Sequence, residues 1–259
     1  MARLTRLSLP GLPHHLMQIG NNRQPIFVDD EDRQAWCAHL REASLVARVD
    51  IHAYVLMSNH VHLLATPRDN ADGLSTMMQS LGRRYVAAFN RRHGRSGTLW
   101  EGRFRAALVD PEDALLTCMR YIDSHAQRSG LVADAADYAW SSCAHHLGRR
   151  RDALIVDHAR YWALGNTPFE REGAYRGFLD EGVSQREAQS ISQATRRGWP
   201  IAGAEGQRRL AALLGREIVP RPRGRPRRDV APAACVPAAE AAAGIPEQIA
   251  ETRRSITRR

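Results

Sequence analysis

Apolar and polar positions change rhythm several times along the chain, and each change marks an element. His15 to Ile19 is a short apolar-tending run closed by Gly20-Asn21-Asn22, a turn composition, so a first strand is expected there. Asp29, Asp30, Glu31 and Asp32 lead into Trp36, Leu40 and Leu45 at helical spacing, which predicts a helix with a negative first turn. Arg48 to Met57 reads as a strand, Ser58-Asn59 as a tight turn and His60 to Thr66 as the antiparallel partner, ended by Pro67. Residues 70 to 93 return to helical spacing, with Leu74, Met77, Met78, Leu81, Tyr85, Ala88 and Phe89 forming an apolar stripe. Gly94 to Gly97 breaks that helix. Thr98 to Val109 is then predicted as a strand, and Pro111 opens a helix running to about His125.

This order predicts an α+β fold, one antiparallel sheet with helices packed on it, followed after Gly130 by a mostly helical and less regular stretch. Three regions are expected: a main domain over 10–150, a helical extension over 151–215, and a basic strip with a flexible tail over 216–259. The last begins with REIVPRPRGRPRR, a composition that cannot pack a core.

Charge adds a partner to this picture. The formal net charge is +9, and every basic residue is Arg, with no Lys in the chain. Arginine's planar fork of donors suits phosphate and guanine edges, so a nucleic acid is the expected partner. Codon bias in a GC-rich genome would equally remove Lys, but it does not explain the positive sign. Lysine chemistry of any kind is excluded. Cys37, Cys118, Cys143 and Cys235 show no CxxC spacing, so neither a disulfide framework nor a zinc ribbon is indicated. The first residues lack an apolar core of signal-peptide length and no window approaches the roughly 18 apolar residues of a membrane span. A cytoplasmic protein, associated with the nucleoid through DNA, is expected.

Candidate chemistry lies on two elements. Alternation along the second hairpin strand sends His60, His62 and Leu64 to one face and Val61, Leu63 and Ala65 to the other, so two imidazoles converge on one spot. Such a pair can supply two nitrogen ligands to a divalent cation, although a chance histidine pair on a strand looks the same. Tyr121 and His125 are four apart on a helix and share its face. A tyrosine hydroxyl can attack phosphorus beside a metal site completed by the second imidazole; a core tyrosine beside Ile122 is the plainer alternative. Arg83, Arg84, Arg91, Arg92, Arg95, Arg103 and Arg105 interleave with Tyr85, Phe89, Trp100 and Phe104, which suits a single strand whose phosphates are neutralised and whose bases stack. A solvated helix face over a core stripe would carry the same pattern, and Tyr85 and Phe89 are expected in the core. Pro222-Arg223-Gly224-Arg225-Pro226 resembles an AT-hook, with Arg223 and Arg225 reaching into a narrow minor groove; a charge-rich linker is the alternative. Glu101 and Asp123 lie near the candidate site in sequence, and surface pairing with Arg is the commoner fate of such residues.

Four stretches together are more specific than any of these motifs. GNNRQPIF (20–27), YVLMSNHVHLLATP (54–67), SLGRRYVAAFNRRHGRSGTLWEGRFRAALV (80–109) and CMRYIDSHAQRSGLV (118–132) resemble, in order and spacing, successive blocks of the HUH single-tyrosine transposases. The resemblance is strongest to the REP-associated tyrosine transposases, relatives of the 200/605 insertion-sequence group, and covers roughly residues 10 to 150. YAWSS (138–142) resembles a further recurrent block, with Trp140 as a packing anchor. The resemblance implies a ferredoxin-like or RRM-like sheet, and a metal-dependent enzyme that cleaves and rejoins single-stranded, REP-like hairpin DNA in transposition. It also implies His60 and His62 as metal ligands, Tyr121 as nucleophile, and a 5′-phosphotyrosine product with a free 3′-hydroxyl. Mg²⁺ or Mn²⁺ is the implied cofactor. The family commonly has Asn or Gln where His125 stands, and a third nitrogen favours softer metals than Mg²⁺. A non-catalytic DNA-binding protein on the same fold is the alternative, and a homodimer is left open.

Overall fold

The computed structural model describes residues 7–215; the AT-hook-like strip, with Arg223 and Arg225, lies outside the described residues. Chain order is β1 (His14–Ile19), α1 (Asp30–Ala47), β2 (Val49–Met57), β3 (His60–Pro67), α2 (Gly73–Arg92) and β4 (Arg105–Leu108). The four strands form one sheet in the order β2-β3-β1-β4, and every pair is antiparallel. This βαββαβ arrangement is the ferredoxin-like fold. The α+β expectation is met.

Alternation sorts the sheet into two faces. Leu16, Ile51, Tyr54, Leu56, Val61, Leu63 and Ala65 pack with Trp36 and Leu40 of α1 and with Leu74, Met77, Leu81, Tyr85 and Phe89 of α2. Ala53, Val55, Leu64 and Ala107 point the other way, into a second core. Ile51 and Tyr54 share a face although three residues apart. The β2–β3 register shifts between Ile51 and Ala53, so a bulge around His52 inserts one residue and reverses the phase.

Local chemistry sets the helix limits. Asp29 caps α1 by accepting from the Asp32 N–H, and Asp30, Glu31 and Asp32 complement the positive helix end. The predicted negative first turn is therefore present.

Two sequence expectations are corrected. Strand structure was expected from Thr98 to Val109, but β4 spans only Arg105–Leu108. Met17 pairs with Arg105 and Gly20 bridges to Trp100, so β1 advances three residues while its partner advances five. The two surplus residues near Gly102 break the ladder. Likewise, the helix expected from Pro111 to His125 starts as a turn and divides: α3 is Leu115–Asp123, and a single turn α4, His125–Arg128, follows Ser124. Ser124, with ψ near 3°, interrupts the regular turn between them.

The remaining helices are α5 (Cys143–His146), α6 (Ala159–Trp162), α7 (Pro168–Asp180), α8 (Gln185–Arg197) and α9 (Ala204–Leu214). Capping boxes start α7 at Thr167 and α8 at Ser184. α3 packs on β2 and β3, whereas α8 packs on β4 and β1. The second face of the sheet is thus covered by chain that follows the four strands. Among the described residues, no helix is long and apolar enough to cross a membrane.

Behind α3 lies a buried polar node. Asp123 accepts from Ser142 Oγ (2.5 Å), His146 Nδ1 (2.6 Å) and Tyr175 Oη (2.7 Å). His146 Nε2 in turn donates to the His52 carbonyl at 3.0 Å. With both ring nitrogens donating, His146 is an imidazolium paired with Asp123. Burial opposes that charge, but the carboxylate and its hydrogen bond more than offset it, and the pKa is raised.

Candidate active site

β3 places His60 and His62 on the second face of the sheet, where α3 and α4 bring Tyr121 and His125 over them. Ligand-capable nitrogens of His60, His62 and His125 all lie within 4.8 Å of one another. Tyr121 sits against this group: its ring centroid is 5.6 Å from that of His62 and 5.7 Å from those of His125 and His15. Despite the break at Ser124, the tyrosine and the third imidazole remain on one side. All four side chains belong to one chain.

Burial makes these imidazoles neutral. It lowers His60 to about 4 and His125 to about 3, and holds His62 well below its ordinary value, with the neighbouring rings adding to the effect at His62 and His125. A neutral imidazole is the form that binds a cation.

Hydrogen bonds fix where two of the ring protons lie. Asn59 donates its amide to the Arg23 carbonyl at 3.2 Å, so its oxygen faces His60 Nδ1 at 2.7 Å and accepts from it. His60 Nε2 keeps its lone pair. At His125 the arrangement is reversed. Arg128 Nη2 lies 3.2 Å from Nδ1 and a guanidinium only donates, so the ring proton is on Nε2, 3.1 Å from His60 Nε2. The donor set fits a divalent cation of borderline softness, with one condition. His125 must exchange its Nε2 proton and release Arg128 before it can join the other two as a ligand.

Arg128 also donates to the Tyr121 carbonyl at 2.6 Å, and its guanidinium carbon stands 4.5 Å from the Tyr121 ring centroid. Burial raises the phenol pKa, and the Arg128 charge works against that rise. Arg196 of α8 adds positive potential at both His60 and Tyr121. Sequence reasoning missed both arginines. Arg128 follows His125 by three residues at helical spacing and was readable; Arg196 carried no signal.

The predicted basic residues divide between the two sides of the sheet. Arg105 pairs in register with Met17, on the histidine face, bonded to Glu101 (3.3 Å) and to the Arg196 carbonyl (3.3 Å). Arg103 lines a small cavity beside it with Met17 and Ile19. Arg83, Arg84, Arg91 and Arg92 lie on α2, across the sheet from the histidines. Arg84 is paired with Glu42, and Arg92 binds Asp29, Glu31 and Asp32 at the start of α1. Arg95 stands over Phe89, its guanidinium carbon 5.6 Å from the ring centroid. Tyr85 and Phe89 are core, as expected. Glu101 has the arginine partner expected of it, whereas Asp123 is fully buried in the node behind α3.

Residues 8–125 match the family described as IS200-like transposase. The match begins just before β1 and ends at His125, so it takes in the whole sheet, both histidines of β3 and Tyr121. Among solved structures, the chain is similar to a REP-associated tyrosine transposase bound to a REP hairpin. The identity is 17% and the TM-score 0.48, over 61% of this chain and 92% of that one. It is also similar to a candidate transposase from Deinococcus radiodurans R1, with 23% identity and a TM-score of 0.32, over 40% of this chain and 84% of that one. No curated protein matches the chain.

Proposed function

We propose that this chain is an IS200-like transposase that cleaves and rejoins single-stranded DNA, with Tyr121 as nucleophile and His60, His62 and His125 as the holders of a divalent cation. The observation that carries the reading is the packing of the Tyr121 ring against His62 and His125 within a single chain. When bound, the cation supplies Lewis-acid stabilisation of charge on the scissile phosphate. Mg²⁺ and Mn²⁺ are both compatible with the family, and a three-nitrogen donor set favours Mn²⁺.

The chain's own groups account for the rest. Tyr121 Oη attacks phosphorus once its proton is lost; the Tyr–O–P bond forms as the P–O3′ bond breaks. The products are a 5′-phosphotyrosine and a free 3′-hydroxyl, and a second 3′-hydroxyl can reverse the step. Arg128 stabilises the phenolate and, with Arg105 and Arg196, gives the site the positive sign that a polyanion requires. The sheet and α3 hold the attacking oxygen in place, which supplies the orientation that such transfers depend on. The four sequence blocks extend the reading to hairpin-bearing, REP-like substrates, and residues 10–150 are assigned as the catalytic domain with 151–215 as its helical extension.

Hairpin DNA labelled at its 3′ end, incubated with the protein and Mn²⁺ and then boiled in detergent, should migrate attached to protein. Tyr121→Phe should abolish the adduct. Cleavage that persists in this variant would make water the nucleophile, and binding without any cleavage would leave a DNA-binding protein on the same fold.

A further inference from the structure

His62 is held by a chain of buried groups that reaches outside the family-matched segment. His15, on β1, lies edge to edge with it, ring centroids 5.0 Å apart and planes 11° from parallel. His15 Nε2 lies 2.8 Å from His62 Nδ1, and His15 Nδ1 lies 2.7 Å from Thr195 Oγ1, 180 positions along the chain on α8. The Thr195 hydroxyl donates to the Ile191 carbonyl at 2.9 Å. His15 and Thr195 are 0% and 1% exposed, so water does not compete for these contacts.

Proton accounting gives the chain a direction. Both rings are buried, and their hydrogen bonds go to each other and to a hydroxyl with no carboxylate among them, so each is a neutral imidazole with one proton. Thr195 spends its single proton on Ile191 and therefore accepts from His15 Nδ1–H. His15 Nε2 is left as an acceptor and takes the proton of His62 Nδ1–H. The lone pair of His62 is then on Nε2, the nitrogen that a cation needs.

We propose that His15 and Thr195 are positioning residues that fix the tautomer and orientation of His62, so that its Nε2 is presented as a ligand beside His60. The proposal rests on the reading of His62 as a metal ligand. Hydrogen bonds of this kind to the second ring nitrogen are the usual device for orienting ligating histidines, and losing them costs about 10-fold to 100-fold in metal affinity. Here the device joins β1, β3 and α8, and so makes the helical extension part of the site.

The test separates tautomer from metal. In the metal-free protein, long-range ¹H–¹⁵N spectra of the imidazoles should show both His15 and His62 protonated on Nδ1. Thr195→Ser keeps the hydroxyl and should preserve both. Thr195→Val conserves volume but removes the acceptor; His15 and then His62 should shift to the Nε2–H form, and Mn²⁺ affinity measured by calorimetry should fall about 10-fold. If Thr195→Val fails to fold, His15→Gln serves instead, since its amide can accept from His62 and donate to Thr195; its Mn²⁺ affinity should stay near that of the unsubstituted protein while His15→Leu loses it. Finding His62 as the Nε2–H form in the unsubstituted protein overturns the proposal. So does unchanged tautomer and Mn²⁺ affinity in Thr195→Val. Should the unsubstituted protein bind no Mn²⁺ while the tautomers are as stated, the metal reading falls and the hydrogen-bond chain stands.

Discussion

The two faces of the sheet are built from the same strands by opposite rules. On one, β3 contributes Val61, Leu63 and Ala65 to a core of large apolar and aromatic side chains shared with α1 and α2. On the other, a second apolar core is interrupted at His60 and His62, which meet His15, His125 and Tyr121 through directed hydrogen bonds and aromatic edges. A one-residue step along β3 therefore separates stability from chemistry. The first face tolerates error in proportion to volume; the second fails when a single proton is on the wrong nitrogen.

That contrast can be broken from either side. The largest effect on activity is expected from the histidine face: His62→Ala should remove DNA cleavage, measured on a labelled oligonucleotide, while thermal melting falls by only a few degrees. On the other face, Leu63→Ala should cost about 2–5 kcal/mol in urea unfolding, with cleavage by the remaining folded protein unchanged, because Leu63 is fully buried and the cavity cannot collapse. Equal loss of both properties in both variants would erase the distinction.

Acid should weaken the whole fold next, through buried histidines on both faces of the sheet. His15 has a folded pKa of about 3, and His14 and His52 of about 4, all below the unfolded value near 6.5. Between those values the unfolded chain binds more protons. Stability is thus complete above about pH 6.5 and falls as pH drops towards 4, by on the order of 1.4 kcal/mol per pH unit for each such imidazole. Urea midpoints at pH 7, 6 and 5 should decline in that order. His146 acts with the opposite sign, since its raised pKa adds stability that fades as pH rises above the unfolded value.

The smallest effect should come from Arg92→Ala, which strips Asp29, Glu31 and Asp32 of a shared cation at the start of α1. Only a small drop in the urea midpoint is expected for this solvent-screened cluster, with little change in the salt dependence of DNA binding. A marked change in that dependence would return Arg92 to the DNA-contacting residues.

Much of this division was readable in advance. Period-two alternation placed His60 and His62 together because a strand leaves no other choice, and the apolar stripe from Leu74 to Phe89 found the core for the same reason. The bulge at His52 was not readable, since an extra residue in a strand looks like any other until its partner is known. The split at Ser124 escaped because a serine in an apolar helix pattern does not by itself announce a changed ψ. Thr195 was beyond reach. Its role depends on a fold that brings α8 to β1, and no local pattern near residue 195 points to residue 15.

The buried node at Asp123 has a mechanical meaning. On the proposed mechanism, a tug on a DNA strand joined to Tyr121 would pass to the last turn of α3, two residues from Asp123. There the carboxylate is moored to Ser142, to His146 and to Tyr175 of α7, and through His146 to the backbone of β2. Pulling the tyrosine away from the histidines would mean dragging an ion pair and its hydrogen bonds with it. On that mechanism the node would be an anchor placed where recoil arrives, keeping the 5′ end within reach of the strand that captures it.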